Sequence, residues 1–486
     1  MSGSGAAPSL EKRARLGVLL LGARSVAVQF VVLAGNVQLY RVLSAADFGV
    51  FAIVQFAIGL FALLGDAGLA AALIQKQAEP SPRELSSVFS LQLLLGASAV
   101  VLLGFGAPFV VSLWPSMPPS SATILRCLAC AFFLTLLRVV PTLLMERKLR
   151  YGPLAGLEVV LTIGFYLPAV LLASRGYGAS SLGYALVVQG VLGVLGAFAL
   201  EPWRPRFGFD RATLAPVLRF GVAFQAKHLF GFATNAIAPV YAGGALGQAA
   251  LGQLGWAQTT GFFPLRLVQL ISRVGFPLYS RLQAERERLV RAVERSLHVC
   301  AIGTFLFASI VFGLGPSLVS VLFTERWLAA LPLLYVYTGA IGIGFITPVL
   351  MPVIDALGRP RVTTWLSALS MALVWMLVPI GASLRGTFGF AAAYALVVAI
   401  GNVAVLIVTG RMLPELRVLR RLVPPALAAA AAAAVARFTF APHATGPLRF
   451  TAAVLAVALT FALFLLVFDR TALADLRALL SRRDAT

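Results

Sequence analysis

Long runs of apolar residues, broken by short polar stretches, recur from Leu16 to Phe468. A helix rises about 1.5 Å per residue, so about 20 apolar residues cross a bilayer core, and most of the runs reach that length. The pattern predicts about fourteen helices, at residues 16–41, 48–75, 86–113, 121–145, 152–174, 179–201, 215–241, 248–273, 293–323, 328–355, 361–383, 387–411, 422–440 and 447–468. The expected fold class is all-α, a polytopic membrane protein. The polar breaks are too short to hold a separate soluble domain.

Composition agrees. The chain is 60% hydrophobic and 12% charged, with mean hydropathy +0.92, against roughly 25% charged residues in a soluble domain. A net charge of +21 fits a nucleic-acid binder only when the basic residues share one folded face. Here they punctuate apolar runs. With the N-terminus placed in the cytoplasm, 28 of the 39 Lys and Arg fall on cytoplasmic pieces and 6 on outer ones. That asymmetry orients membrane helices, and it predicts cytoplasmic termini and an even number of spans. The first run carries Arg24 and lacks a small-residue cleavage site, so it is expected to persist as a helix and not as a removable signal peptide. Cys127 and Cys130 form a lone CxxC without a second ligand pair; with Cys300 they read as small apolar packing residues. No cofactor is expected, and no Gly-rich Lys-Ser/Thr loop marks an ATP site.

A gapped internal repeat organises the spans. Ala46–Gln55 (ADFGVFAIVQ) lies on Ala249–Gln258 (AALGQLGWAQ) at an offset of 203, and Gln77-Ala78-Glu79 on Gln283-Ala284-Glu285 at 206. The repeat predicts two six-helix lobes around a central cavity plus two appended helices. The corresponding segments are a cytoplasmic N-terminal piece 1–15, a first lobe 16–201, a linker 202–214, a second lobe 215–411, the appended pair 412–468 and a tail 469–486. Arg281 to Arg295, with Leu282, Leu289 and Val293 among its charges, reads as an extension of the ninth helix along the headgroups or as a solvated linker, and the tail reads as an interfacial helix. Pro141, Pro168, Pro239, Pro264, Pro348 and Pro352 interrupt helix hydrogen bonding, as positions facing other helices or a water-filled cavity do.

Ionisable groups inside spans cost at least ~2.5–3.5 kcal/mol at the bilayer centre, so each is a candidate for function. Arg24, Arg126, Arg138, Lys227 and Arg266 stand against Asp66 and Glu158, more cations than structural pairing needs. Arg24, Arg138, Lys227 and Arg266 sit at comparable depth and define a candidate cationic site in the cavity. For Arg138 and Arg266 the alternative is snorkelling to the cytoplasmic headgroups, and for Arg126 snorkelling to the outer surface is expected. Gln29 and Asn36 on the first helix, and Gln225, His228 and Asn235 on the seventh, supply polar neighbours. Such a site selects an anion, and arginine's planar fork suits phosphate. Asp66 pairs structurally with Arg24 or serves as an ion or proton site, and Glu158 has the same two readings.

Three phrases, LSAADFGVFAIV, GDAGLAAALIQ and ISRVGFPLYSRLQAERERL, resemble the Wzx-type polysaccharide flippases of the multidrug/oligosaccharidyl-lipid/polysaccharide superfamily. The resemblance implies a transporter, not an enzyme, of the bacterial cytoplasmic membrane. It implies a polyprenyl-diphosphate-linked oligosaccharide as cargo, carried to the external leaflet by alternating access alongside a polymerase and export machinery, with the last two helices holding the lipid tail. A lipid II flippase and a multidrug antiporter of the same superfamily are the alternatives, with a membrane-embedded glycan polymerase or ligase behind them.

Overall fold

The computed structural model describes residues 28–66, 73, 79–114, 116–210, 214–215 and 229–469, and the backbone alone at 62–66, 273–274 and 468. The described elements are α1 (28–42), α2 (Ala45–Asp66), α3 (Pro82–Ser112), α4 (Ser121–Leu137), α5 (Val139–Arg147), α6 (Tyr151–Ser174) and α7 (Ser180–Leu200). They continue as α8 (229–246, π-wound over Ala238–Leu246), α9 (Gln248–Gly261), α10 (Leu265–Leu282), α11 (Arg286–Leu322), α12 (Leu331–Gly344), α13 (Ile346–Ala356), α14 (Pro360–Met412), α15 (Val418–Val435) and α16 (Pro447–Phe468). Ten helical stretches among the described residues are long and apolar enough to cross a membrane. The 53-residue α14 is itself a hairpin: Arg385 and Gly386 leave helical geometry, Gly386 at φ 57° and ψ −135°, where a side chain is strained. Its two arms touch backbone to backbone, since a Cβ on Gly389 would lie 1.8 Å from the Gly381 carbonyl oxygen.

The described residues fall into two compact units. One comprises the chain up to Leu229 together with Gly243–Gly252, the other Phe230–Ala242 and the chain from Gln253 onward. The first is centred on α4, α6 and α7, with buried Leu39, Leu43, Ala169, Leu182 and Ala185 among its core residues. The second is centred on α11, whose Leu289, Val293 and Leu297 pack with Val349, Leu350 and Val353 of α13. The stretch from Arg286 to Arg295 is therefore helical and continuous with the ninth predicted span, as the extension reading has it, with its apolar side in the protein core, which corrects the solvated-linker reading.

Prolines break several predicted spans. The fourth is interrupted at Arg138, the eighth between Gly261 and Leu265, and the tenth at Phe345, with Pro141, Pro264 and Pro348 in or beside the restarting turn. The thirteenth span starts at Val418 and carries Pro424 and Pro425 inside it. A proline inside a helix frees the carbonyl four residues earlier, and at three places another helix satisfies it. Arg126 Nε donates to Gly104 O at 3.0 Å, opposite Pro108; Ser272 Oγ donates to Pro348 O at 2.8 Å, opposite Pro352; and His298 Nδ1 faces Arg421 O at 3.1 Å, opposite Pro425. Arg126 thus caps a freed carbonyl, a structural use that the snorkelling expectation did not include.

Candidate functional site

Of the expected cationic site, Arg24 and Lys227 lie outside the described residues, as do Gln225, His228 and the side chain of Asp66. Arg138 belongs to the first unit and Arg266 to the second. Arg138 sits half-buried where α4 gives way to α5, and glycine makes its space: a Cβ on Gly193 of α7 would lie 3.0 Å from the Arg138 Cδ. Its carbonyl accepts from Thr142 N at 3.1 Å and Thr142 Oγ1 at 2.9 Å. Arg266 opens α10 with its guanidinium carbon 5.7 Å from the Phe263 ring centre, a cation–π contact of about 0.5–1 kcal/mol where exposed. Glu158 and Asn36 are half-buried and Gln29 exposed. Asn235 is exposed and donates to Gly231 O at 2.9 Å.

A cavity of about 250 Å³ lies within the second unit, lined by Thr234, Phe262, Pro348, Ser370, Tyr394 and Asn402 among others. Asn402, 4% exposed, organises its wall. Its Oδ1 accepts from Thr347 N at 3.0 Å and Thr347 Oγ1 at 2.9 Å, satisfying the start of α13, and its Nδ2 donates to Val398 O at 2.7 Å. Tyr394 packs edge-on to Tyr337, and both rings contact Phe262. The lining is neutral, offering hydroxyls, an amide and aromatic faces. A search for charged residues passes over it; the signal was Asn402, the lone amide in the apolar run 387–411.

The turns group as alternating spans require. In the first unit, Asp47 accepts from Ser44 N at 2.9 Å, Ser44 Oγ at 2.6 Å and Ala179 N at 2.9 Å, and Gln248 Nε2 donates to Ser116 O. Asp47 thus joins the turn at 43–44 to that at 175–179, and Gln248 joins the turn at 247 to that at 113–120; all four are predicted on the outer side. The opposite turns are joined separately: Glu201 pairs with Lys148 and with Arg150 at 2.7 Å, while Gly208 N and Asp210 N donate to Ser90 Oγ and Ser87 Oγ of α3 at 3.0 and 3.1 Å. In the second unit, Arg286 pairs with Glu415 at 3.0 Å, Arg421 with Glu294 at 3.3 Å, and His298 Nε2 lies 3.2 Å from Asp469. These predicted cytoplasmic groups also share one end.

Apolar helices of spanning length, in two units whose turns segregate by parity, define a multi-pass membrane protein. Its fold is that of a lipid II flippase, MurJ, in an inward closed conformation, with a TM-score of 0.74 and 14% identity over 94% of this chain and 100% of the other. An inward-facing multidrug resistance MATE family transporter of the MOP superfamily matches with a TM-score of 0.61 and 15% identity, over 82% and 98%. Residues 38–332 match the family model described as "Polysaccharide biosynthesis protein", and the chain belongs to that family. Among curated relatives, the succinoglycan biosynthesis transport protein ExoT of Rhizobium meliloti is 28% identical over 67% of this chain and 66% of its own length. The lipopolysaccharide biosynthesis protein WzxC of Escherichia coli is 24% identical over 64% of each. The matched chain thus spans just under two thirds of the length of these relatives.

Proposed function

We propose that this protein moves a polyprenyl-diphosphate-linked oligosaccharide from the cytoplasmic to the external leaflet of a bacterial cytoplasmic membrane, for polysaccharide biosynthesis. Membership of the polysaccharide biosynthesis family carries this reading, and the transport and flippase names of the relatives and of the fold's neighbours support it. Movement is by alternating access of two lobes, 16–201 and 215–411. Arg24, Lys227, Arg138 and Arg266 hold the diphosphate, because a guanidinium makes paired, charge-assisted bonds to phosphate oxygens. The neutral polar lining of the second-unit cavity suits hydroxyl-bearing groups. The termini lie in the cytoplasm, helices α15 and α16 accompany the lipid tail, and a polymerase and export machinery take the product. The chain moves its cargo without altering it chemically.

In cells lacking the protein, the lipid-linked oligosaccharide should accumulate unchanged in mass on the cytoplasmic face while external polymer is lost. Arg24→Gln with Lys227→Gln should reproduce that loss at normal abundance; full export by this double variant removes the cationic site. For orientation, single cysteines at Ser81 and Ala284 should resist an impermeant external reagent and one at Ser116 should react, and the reverse pattern inverts the topology.

A further inference from the structure

The internal repeat has a structural counterpart that its sequence alone does not show: its two copies meet at equivalent residues. Gly49 and Gly252 stand at the repeat offset of 203, as do Ala45 and Gln248. A Cβ on Gly49 would lie 1.9 Å from the Gln248 carbonyl oxygen, and a Cβ on Gly252 would lie 1.7 Å from the Ala45 carbonyl oxygen. The relation is reciprocal. Each glycine sits against the carbonyl of the residue four positions before the other, as a two-fold arrangement of the start of α2 and the start of α9 requires. Both contacts lie within the first compact unit, which takes Gly243–Gly252 away from the residues on either side of it. A small residue at i+4 lets helix backbones approach until peptide groups touch, and Cα–H···O contacts of this kind are individually weak. Beside the crossing, Ile53 is 1% exposed, and a Cβ on Gly243 would lie 3.1 Å from its Cγ1.

We infer that Gly49 and Gly252 form a two-fold glycine clasp, shut in this conformation at the predicted outer end of the first unit, that parts once in every transport cycle. The inference rests on the flippase reading for its direction, since Ala45 and Gln248 begin helices at turns predicted outside. The contact suits a moving part. The clasp itself is glycine against peptide carbonyl, and its fit is steric, so it has a tight state and an open state with little between them. Glycine is required in both copies because any side chain would occupy the space of the facing peptide group.

The first test is a reversible lock. In a background with Cys127, Cys130 and Cys300 replaced by serine, Ile53→Cys with Gly243→Cys places two Cβ atoms within reach of a disulfide, about 3.5–4.5 Å, and leaves the clasp glycines intact. Oxidation should lower transport about tenfold or more, and reduction should restore it. Undiminished transport by fully cross-linked protein overturns the clasp. If the reduced protein moves no lipid-linked oligosaccharide, the flippase reading fails separately, and the clasp is decided without cargo. Ile53→Cys alone should then react slowly with an external impermeant maleimide, and about tenfold faster when Gly252→Leu is added. Cys300, retained in a companion variant as a fold reporter and fully buried, should stay unreactive. An unchanged rate at position 53, or reaction at Cys300 to the same extent, overturns the proposal.

Discussion

The two ends of the first unit are held by different chemistry. At one end Glu201, 7% exposed, is gripped by Lys148 and Arg150, and the chain after it is laced to serines of α3. At the other, glycine meets peptide carbonyl, Asp47 accepts from Ser44 N and from Ala179 N of a distant turn, and Gln248 donates to Ser116 O. Separating the ionic end exposes a carboxylate and two cations to rearrangement, whereas separating the glycine end breaks weak contacts and the neutral Gln248–Ser116 hydrogen bond and wets two peptide groups. Under the clasp proposal, the ionic end stays together and the glycine end opens.

The comparison breaks most visibly at the glycines. Gly49→Leu or Gly252→Leu should lower export about tenfold or more at normal abundance, because overpacking of about 1–3 kcal/mol or more acts on the closed state alone. Gly244→Ala, with open space at the added Cβ, should export normally, and equal export by all three removes the distinction. Next is Glu201→Gln, which should cost roughly 2 kcal/mol of stability, read as a lower Tm. The effect stays below that of a fully buried pair because Lys148 and Arg150 remain 55% and 42% exposed. It should leave the thiol reactivity of Ile53→Cys unchanged; a rise there would mean that both ends move together. Asp47→Asn should cost about 1 kcal/mol by weakening the acceptor at the start of α2, again read by Tm. The smallest effect concerns an exposed ion pair of the second unit. Its own backbone N–H, and then Arg286, hold the Glu415 carboxyl below the usual 4.5. A depressed carboxylate stabilises above its usual value and loses that contribution as pH falls through the depressed one. The small Tm advantage over Glu415→Gln should therefore be present at neutral pH and vanish on acidification below about 4.5; an advantage that grows with acid contradicts the assignment.

The spans were legible because hydropathy over about 20 residues is imposed by the bilayer and needs no knowledge of partners. Even the hairpin at Arg385 and Gly386 fell between two predicted runs. Helix interruptions were half legible: Pro141, Pro264, Pro348 and Pro352 were visible, but which carbonyls they free and what satisfies them were not. Arg126 meets Gly104, and His298 meets Arg421, across 22 and 123 positions of sequence. Such pairings depend on helix rotation and packing, which a one-dimensional pattern of apolar residues leaves open. The same limit hid the Asn402 wall and the clasp. Phrases around Gly49 and Gly252 could be aligned, yet nothing in an alignment of two segments says that they touch.

Transport by the purified protein tests the central claim most directly. Reconstituted into liposomes carrying a polyprenyl-diphosphate-linked oligosaccharide in one leaflet, it should make that lipid accessible in the other leaflet, with its mass unchanged. Arg24→Gln with Lys227→Gln should lose this activity. Chain extension or diphosphate cleavage by the pure protein, or no change of leaflet beyond protein-free vesicles, would contradict the account.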